Sequence, residues 1–327
     1  MLPMTHNTHA IIRALADGRF HSGEHLAGGL GVSRSAVWKH MRQLRALGMD
    51  IFRVPGRGYR LAAPLELLDA ERLRAYLSPA CRTRLQDLTV LDVVTSTNDH
   101  LATCSTALPT ACLAELQTGG RGRRGRRWVS PFAANLYLSL AWQFTDLPPG
   151  FTALGMVTAV CVVQALRSLG VQGVALKWPN DLIADGRKLG GILVDMQGEP
   201  PGRVRAVIGV GVNMRMPAAA GPQIDQPWTD LETLTQGHPP GRNRLAAAVL
   251  EELVAALEVF AVHGFAAFVP AWRKLDIVAG QRVALHHQGQ VITGMALGVD
   301  DDGALLLKSG AETRRFVSGD ISLRLQP

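Results

Sequence analysis

The chain has 327 residues, 47% of them hydrophobic, and a formal net charge of +7. This length accommodates two or three domains with a sizeable core, and the composition excludes an intrinsically disordered chain. The four cysteines are scattered with no C-x-x-C pair, which predicts buried apolar residues in a reducing compartment and argues against a disulfide framework or zinc site. No signal-peptide pattern opens the chain, and the apolar run Phe151–Val163 is about half a membrane span. We therefore predict a cytoplasmic protein without a membrane partner.

The positive charge is concentrated near the N-terminus. Residues 1–63 carry nine lysines and arginines against three acidic residues, whereas the rest of the chain is close to neutral. A small basic domain beside a nearly neutral one indicates a polyanionic partner.

The same N-terminal segment predicts three short helices followed by two strands. The first helix is predicted over His9–Ala16, and Ser22 is placed to cap a second. Ser33 is placed to cap a third helix, whose apolar face is formed by Val37, Met41, Leu44 and Leu47. Strands Ile51–Val54 and Tyr59–Leu61 then surround a Pro-Gly-Arg-Gly turn. This order predicts a winged helix-turn-helix.

The other face of the third helix is basic and contains no acidic residue, as expected of a recognition helix that enters the major groove. Residues nearest its start would meet base edges, while Arg45, as an alternative to Arg42, and the wing tip would hold phosphates. The predicted DNA-binding residues are Ser33, Arg34, Ser35, Lys39, Arg42 and Arg57. The alternative is a protein-docking module, because similar three-helix domains also serve that purpose.

A loop rich in arginine and glycine follows, with five arginines and two glycines in Arg121–Arg127. Glycine lets a backbone approach a ligand closely, and arginine binds phosphate or carboxylate. Gly120, Gly122 and Gly125 match G-x-G-x-x-G, but that dinucleotide motif must open a helix, and here a strand-like segment follows Pro131. The chain also lacks a P-loop motif. The loop predicts nucleotide phosphate binding, with an exposed loop that binds RNA or nothing as the alternative.

Three further motifs accompany this loop. Ser96-Thr97-Asn98 precedes it, and Lys177-Trp178-Pro179-Asn180-Asp181, with a Lys-Leu-Gly-Gly segment from Lys188, and Ile208–Asn213 follow it. In this order and spacing, the set resembles the biotin protein ligases over nearly the whole chain. Because a DNA-binding segment precedes the motifs, the chain most resembles the bifunctional type that is both ligase and biotin-operon repressor.

The resemblance implies an α/β (α+β) multidomain fold. It comprises a winged helix-turn-helix at 1–64, a class II synthetase-like mixed α/β ligase domain at 65–273, and an SH3-like β-barrel at 274–327. Five short strands fit the last domain, and Asp300–Gly303 is predicted to form a solvated hairpin turn, since it lacks the other ligands of a calcium loop.

The implied reaction forms biotinyl-5′-adenylate from biotin and ATP, then transfers biotin to a lysine of a carboxylase carrier domain. Lys177 and Arg123 are the implied catalytic residues. The implied biotin-binding residues are Ser96, Thr97, Asn98, Gln117, Arg121, Gly122, Arg123 and Lys177. The implied ATP and adenylate residues are Arg123, Arg124, Asn180, Asn213 and Trp228.

Magnesium is expected as part of the ATP complex, with Asp181 holding it or a neighbouring arginine. Glycines at 190, 191, 209 and 211 are expected to leave room for ligand, with a bulge or tight packing as the alternative at Gly190. Met214–Thr229 is predicted to be a mobile loop that contains Trp228. Ser96 also fits a helix N-cap. The family usually has an acidic residue just before this serine, whereas this chain has Thr95.

These observations predict a ligase that is also an adenylate-dependent repressor, dimeric when adenylate is bound. Its partners would be operator DNA and a biotin carrier protein. A lipoate ligase is the alternative within the same fold, and a ligand-sensing repressor without catalysis is the alternative from another class. The cationic residues Arg123 and Lys177 favour an enzyme.

Overall fold

A computed structural model describes residues 5–106, 108–198, 202–287, 290–317 and 321–325, the last of these by backbone only. The outer ends of two predicted domains, residues 1–4 and 326–327, lie outside the described residues. The described chain forms a winged helix-turn-helix, a mixed α/β domain and a C-terminal antiparallel sheet. The predicted multidomain α/β class is therefore confirmed.

The N-terminal domain closely follows the sequence pattern. Its elements are α1 (His6–Leu15), α2 (Gly23–Leu30), α3 (Arg34–Ala46), β1 (Ile51–Val54) and β2 (Gly58–Leu61). The first helix begins earlier than predicted because the Thr5 side chain accepts from the Thr8 amide at 3.3 Å and caps it. Ser22 and Ser33 cap the next two helices as predicted. Strands β1 and β2 pair antiparallel to form the wing.

The central domain is built on a mixed sheet. Its strands are β3 (Asp87–Val94), β4 (Thr110–Gln117), β5 (Leu136–Phe144), β6 (Val174–Lys177), β7 (Asp181–Ala184), β8 (Arg187–Gln197) and β9 (Val204–Val212). Their spatial order is β3-β4-β5-β9-β8-β7-β6, and only the β3–β4 pair is parallel among the described strands. The helices are α4 (Ala70–Tyr76), α5 (Pro79–Arg84), α6 (Thr97–Thr103), α7 (Leu154–Ser168), α8 (Leu231–Leu234), α9 (Arg242–His263) and α10 (Val269–Arg273).

The two faces of this sheet have different roles. Helices α7 and α9 pack against each other and cover one face, while α6 packs on β4, β5 and β9. Along β9, Ile208 and Val210 belong to the main apolar core, and the alternating Gly209 and Gly211 point to the other face. Of the described helices, the segment Phe151–Ser168 is long and apolar enough to cross a membrane, but 67% of it is buried inside the protein. This agrees with the predicted core helix.

The C-terminal segment forms five antiparallel strands among the described residues, in the order β13-β12-β11-β10-β14. They are β10 (Arg282–His287), β11 (Gln290–Val299), β12 (Leu305–Ser309), β13 (Glu312–Phe316) and β14 (Ile321–Leu325).

The turn between β11 and β12 has Asp301 and Asp302 exposed, as the sequence predicted, but the turn also makes specific contacts. Asp300 and Asp302 both pair with Arg315, and the Gly303 carbonyl accepts from Trp178 Nε1 at 3.0 Å. A Cβ at Gly303 would lie 2.4 Å from Ala153, so the absent side chain lets the turn dock on the central domain.

Contacts cross both predicted domain boundaries. Leu65 packs with the winged-helix core, and so do Phe132 and Leu116 of the central domain. At the other boundary, the amide of Leu176 donates to Leu275 and the amide of Ile277 donates to Leu176, at 2.8 and 3.0 Å. The boundaries after residues 64 and 273 therefore stay predictions, although the domains themselves are visible.

The cysteines match their predicted character. Cys81, Cys112 and Cys161 are buried, Cys104 is half-buried, and all four thiols are free. Burial raises the pKa of Cys81 and of Cys112 to about 12, so these thiols stay protonated and unreactive.

A buried ion pair joins the central domain to the chain that enters it. Arg242, at the start of α9, lies 2.6 Å from Glu115 of β4, and their side chains are 7% and 1% exposed. The Arg242 guanidinium also donates to the Asn135 and Glu66 carbonyls, and Glu115 accepts from the Leu68 amide at 2.6 Å. Every polar group of the pair is thus used, which such a buried pair requires.

We predict that Arg242→Met lowers the free energy of unfolding by about 3–5 kcal/mol, because it leaves the Glu115 carboxylate buried without a cation. The measurement is urea denaturation followed by tryptophan fluorescence. Glu258→Gln is the control, since it breaks the exposed Arg84–Glu258 pair and should cost less than about 1 kcal/mol. Equal losses in the two variants would contradict the prediction.

Candidate active site

A cavity of about 760 Å³ opens on the sheet face that α7 and α9 leave uncovered. Residues from α6, β4, the arginine loop, β6, the turn after it and the segment after β9 all reach it. The cavity brings together the ligand residues expected from the sequence, namely Ser96, Thr97, Asn98, Gln117, Arg121, Gly122, Arg123, Arg124, Lys177, Asn180, Asn213 and Trp228. Their proximity is thus a structural fact, while their individual roles stay predictions.

One end of the cavity is lined by neutral polar side chains. Ser96 caps α6, since its Oγ accepts from the Asp99 amide at 3.4 Å, so the cap role and the cavity position coexist. Gln117 Oε1 accepts from the Thr97 amide at 2.9 Å and from the Thr97 hydroxyl at 3.2 Å. Gln117 Nε2 donates to Ser130 Oγ at 3.1 Å. This end can hydrogen-bond a neutral polar ring without adding charge.

The arginine loop closes on itself beside this end. The Trp128 amide donates to Gly120 at 2.8 Å, and the Gly122 amide donates to Arg126 at 2.7 Å. A single 3₁₀ turn, Arg123–Gly125, lies between these contacts, with Arg124 at a φ of 58°. The next regular element is strand β5, so no helix follows the glycines and the dinucleotide interpretation is excluded.

The loop arginines face different partners. Arg121 Nη2 lies 2.5 Å from Asp195 and 2.7 Å from Asp99, which ties the start of the loop to β8 and α6. Arg123 Nη1 donates to Asn180 Oδ1 at 3.3 Å, so two expected phosphate ligands lie side by side. Arg126 and Arg127 are exposed at the mouth of the cavity.

Lys177 ends strand β6 and lines the cavity. Two later residues of the same motif, Trp178 and Asn180, have structural roles. Trp178 is 1% exposed and donates to the Gly303 carbonyl, and Asn180 Nδ2 donates to the Ile192 carbonyl at 2.5 Å. The turn that carries Lys177 is therefore held by the C-terminal sheet on one side and β8 on the other.

Asp181 has a different neighbour from the one expected. Its carboxylate lies 2.6 Å from Lys188 Nζ, instead of an arginine, and both side chains are less than one-fifth exposed. Lys188 lines the cavity and was not singled out from the sequence, because its motif identified only the glycines that follow. Within the described residues, no cluster of three His, Cys, Asp or Glu side chains is arranged to hold a metal ion.

Trp128 is a second cavity residue that sequence reasoning passed over. Lys188 Nζ lies 5.7 Å from the centroid of its ring, a cation–π contact. Its Nε1 is buried, and no polar atom in the described part of the chain accepts from it. The only sequence signal was its place at the end of the arginine run.

The expectation that strand glycines leave room for ligand needs correction at Gly209 and Gly211, and it stays a prediction at Gly191, which lines the cavity. A Cβ at Gly209 would lie 2.4 Å from Asn98 Oδ1, and one at Gly211 would lie 2.7 Å from the Trp128 ring. These glycines make room for the protein's own side chains. At Gly190 the close neighbour is the Gly211 carbonyl, at 2.7 Å, which agrees with the alternative of tight packing.

The segment after β9 frames the remaining side of the cavity. Asn213 is 3% exposed and its Nδ2 donates to the Thr229 carbonyl at 3.0 Å, so its amide holds the end of this segment. Trp228 pairs through its backbone with Lys188 and packs against Gly221, where a Cβ would lie 3.1 Å from its ring. A ring at this place can cover a purine.

The basic face of α3 is exposed in the winged helix. The predicted DNA residues Ser33, Arg34, Ser35, Lys39, Arg42 and Arg57 are all exposed. Arg42 stacks on Trp38 at 5.0 Å and Arg57 stacks on Phe20 at 4.4 Å, which orients both guanidinium groups. Arg45, the alternative phosphate ligand, instead donates to the Ile51 carbonyl at 2.8 Å and holds the first wing strand.

Models of three protein families match the chain in this order. A helix-turn-helix domain matches residues 7–60, the biotin/lipoate A/B protein ligase family matches residues 90–213, and the biotin protein ligase C-terminal domain matches residues 278–324.

Individual proteins agree with these matches. A "Bifunctional ligase/repressor BirA" from Escherichia coli (strain K12) is 42% identical over 316 residues, which are 96% of either chain. The protein of that name from Bacillus subtilis (strain 168) is 32% identical, over 94% of this chain and 95% of its own. The solved structure "Biotin protein ligase from Aquifex aeolicus in complex with biotin and ATP" superposes with a TM-score of 0.65 at 27% identity, over 74% of this chain and all of that one. The chain therefore belongs to the biotin protein ligase family, in its bifunctional ligase/repressor group.

Proposed function

We propose that the protein activates biotin with ATP to biotinyl-5′-adenylate and transfers the biotin to a lysine of a carboxylase carrier domain. The observation that carries this proposal is the division of one cavity into two ends. Ser96, Thr97 and Gln117 form a neutral polar end, and Lys177 and Arg123 bring cations to the other. A ligand with a neutral polar ring and an acidic tail that meets a phosphate matches both ends.

In the first step, the carboxylate of biotin attacks the α-phosphate of ATP and pyrophosphate leaves. The protein has to hold two anions together and stabilise the charge that develops between them. Lys177 and Arg123 supply fixed positive charge on the cavity wall, and Asn180 orients Arg123 through its 3.3 Å contact. In the second step, the acceptor lysine attacks the mixed anhydride and AMP leaves.

ATP and adenylate would occupy the side framed by Arg124, Asn213 and Trp228. Magnesium would enter with the ATP phosphates, where it neutralises part of their charge. Asp181 is a carboxylate on the cavity wall, but its ion pair with Lys188 already uses it. We therefore assign Asp181 to holding Lys188, and no residue to magnesium.

Lys177→Ala should lower biotin-dependent ATP–pyrophosphate exchange by about 100- to 1,000-fold, the usual effect of removing one charge-stabilising group. Lys274→Ala, which removes an exposed lysine outside the cavity, is the control and should leave exchange unchanged. Exchange that requires lipoate instead of biotin would keep the fold and overturn the substrate. If no acid supports ATP–pyrophosphate exchange, a DNA-binding ligand sensor without catalysis becomes the better interpretation.

The protein is also a repressor, through the basic face of its winged helix. The adenylate would bridge the arginine loop and the segment after β9, and so favour a homodimer that spans two operator half-sites. Phe132 lies just after that loop and packs in the winged-helix core, which gives a physical connection between the two sites. Because ATP, carrier protein and DNA occur together in the cytoplasm, we place the protein there.

Arg57→Ala should weaken binding to every DNA sequence alike and reduce the slope of log affinity against log salt by about 1, as expected for one phosphate contact. Arg34→Ala should instead cost about 1–3 kcal/mol on a selected operator only, because it removes a base contact. Fluorescence anisotropy with an operator selected by the wild type and with a scrambled duplex measures both.

Arg82→Ala, an exposed arginine of the central domain, is the control for loss of charge alone. The titrations are run with and without biotin and ATP. A DNA affinity that is the same with and without biotin and ATP would contradict the coupling between adenylate binding and dimerisation. It would leave the ligase proposal intact.

A further inference from the structure

Behind the neutral end of the cavity lies a row of buried polar side chains that the proposed reaction does not use directly. Ser139 of β5 is fully buried, and its Oγ lies 2.6 Å from both Thr97 Oγ1 and Asn98 Oδ1. Asn98 is 3% exposed, and its Nδ2 lies 2.8 Å from Asp195 of β8. A continuous row therefore runs from Thr97 on the cavity wall to Asp195.

The orientation of the Asn98 amide is fixed by what surrounds it. Its nitrogen faces three oxygens, Asp195 Oδ2 at 2.8 Å and the carbonyls of Leu193 and Val207 at 3.4 and 3.5 Å. A carboxylate and a carbonyl only accept, so the amide nitrogen must be the atom that faces them. The amide oxygen then faces Ser139 and can only accept.

Thr97 and Ser139 each have one hydroxyl proton. The Thr97 hydroxyl donates to Gln117 Oε1 at 3.2 Å, an oxygen that can only accept. The Ser139 hydroxyl donates toward Thr97 Oγ1 and Asn98 Oδ1, which both lie 2.6 Å away and share its proton. Thr97 Oγ1 is therefore held between its acceptor, Gln117, and its donor, Ser139.

With its own proton on Gln117 and the Ser139 hydroxyl donating to it, Thr97 Oγ1 offers a ligand only a lone pair. We propose that Ser139 and Asp195 are positioning residues for the acid substrate: they hold the Thr97 oxygen as an acceptor for a ligand N–H and connect it to Arg121. The connection exists because Asp195 Oδ2 is the atom that also receives Arg121 Nη2, at 2.5 Å. The inference rests on the proposed function and names two residues that make its ring-binding end selective.

A double-mutant cycle by calorimetry tests the Ser139 step. Ser139→Ala should weaken biotin binding by about tenfold, because Thr97 Oγ1 then loses the donor that fixes its position opposite the ligand. The KM for ATP should stay within about twofold, since no phosphate contact changes. In a Thr97→Val background, Ser139→Ala should have almost no further effect on biotin affinity, because no oxygen remains to be oriented.

Thr158→Ala is the matched control, because Thr158 is an equally buried hydroxyl that donates to the Leu154 carbonyl inside α7. It removes a hydroxyl from the core without touching the row. Losses of biotin affinity that add in the Thr97→Val/Ser139→Ala double variant would overturn the proposal and leave Ser139 a packing residue.

The other end of the row has its own matched pair of variants. Asp195 and Asp99 both pair with Arg121, but only Asp195 also contacts Asn98. Asp195→Asn should therefore weaken biotin binding several-fold more than Asp99→Asn. Equal losses would mean that only the ion pair with Arg121 matters, which overturns the role of Asp195 in the row.

The wild-type titration separates this inference from the proposed function. A wild type that does not bind biotin overturns the proposed function and this inference with it. A wild type that binds biotin, with additive losses in the cycle, overturns the inference alone. If Ser139→Ala fails to fold, the comparison of Asp195→Asn with Asp99→Asn remains decisive, because these variants alter partly exposed side chains.

Discussion

The ion pair between Arg242 and Glu115 is the interaction on which the arrangement of the central domain depends. A charged pair in a core is stable only when each of its hydrogen-bonding groups has a partner. Here those partners come from two separate segments: the chain that leaves the winged helix, through Glu66 and Leu68, and Asn135, just before β5. Asn135, whose carbonyl accepts from Arg242, also accepts through its side chain from the Met214 amide at 2.9 Å. One buried cation thus fixes the entry to α9 and the end of β9 together.

The cavity follows from how the sheet divides its two faces. Apolar side chains on one face bury α7 and α9, and this burial supplies most of the driving force for the domain. On the other face, strand glycines leave space above the sheet, and Asn98 and Trp128 fill part of this space. The polar residues there bond one another, so the site is organised before a ligand arrives. Preorganised polar groups need no rearrangement when charge develops, which is the condition for efficient transition-state stabilisation.

The two functions of the family meet at the segment between Gln117 and Leu136. Its first half carries the arginines of the cavity, and its second half contributes Phe132 to the winged-helix core. Arg121 is held by Asp99 and Asp195, and Ser130 is held by Gln117, so both ends of the loop contact the neutral end of the cavity. A ligand at that end would therefore contact residues of the same segment that packs against the winged helix through Phe132.

The sequence alone determined the order of the domains and the helix caps at Ser22 and Ser33, because periodicity and caps are local properties of the chain. Its resemblance to the biotin protein ligases supplied many of the cavity residues, but not Trp128 or Lys188. The sequence could not determine which distant side chains meet. Ser139 is one small residue in an apolar strand, and only the pairing of β5 with β9 and the position of α6 place it between Thr97 and Asn98. The pairing of Lys188 with Asp181, the stacking of Trp128 over Gly211 and the docking of Gly303 beside Trp178 are equally non-local. These contacts were decided by the tertiary structure, because strand register and domain packing set distances between residues that the chain itself keeps far apart.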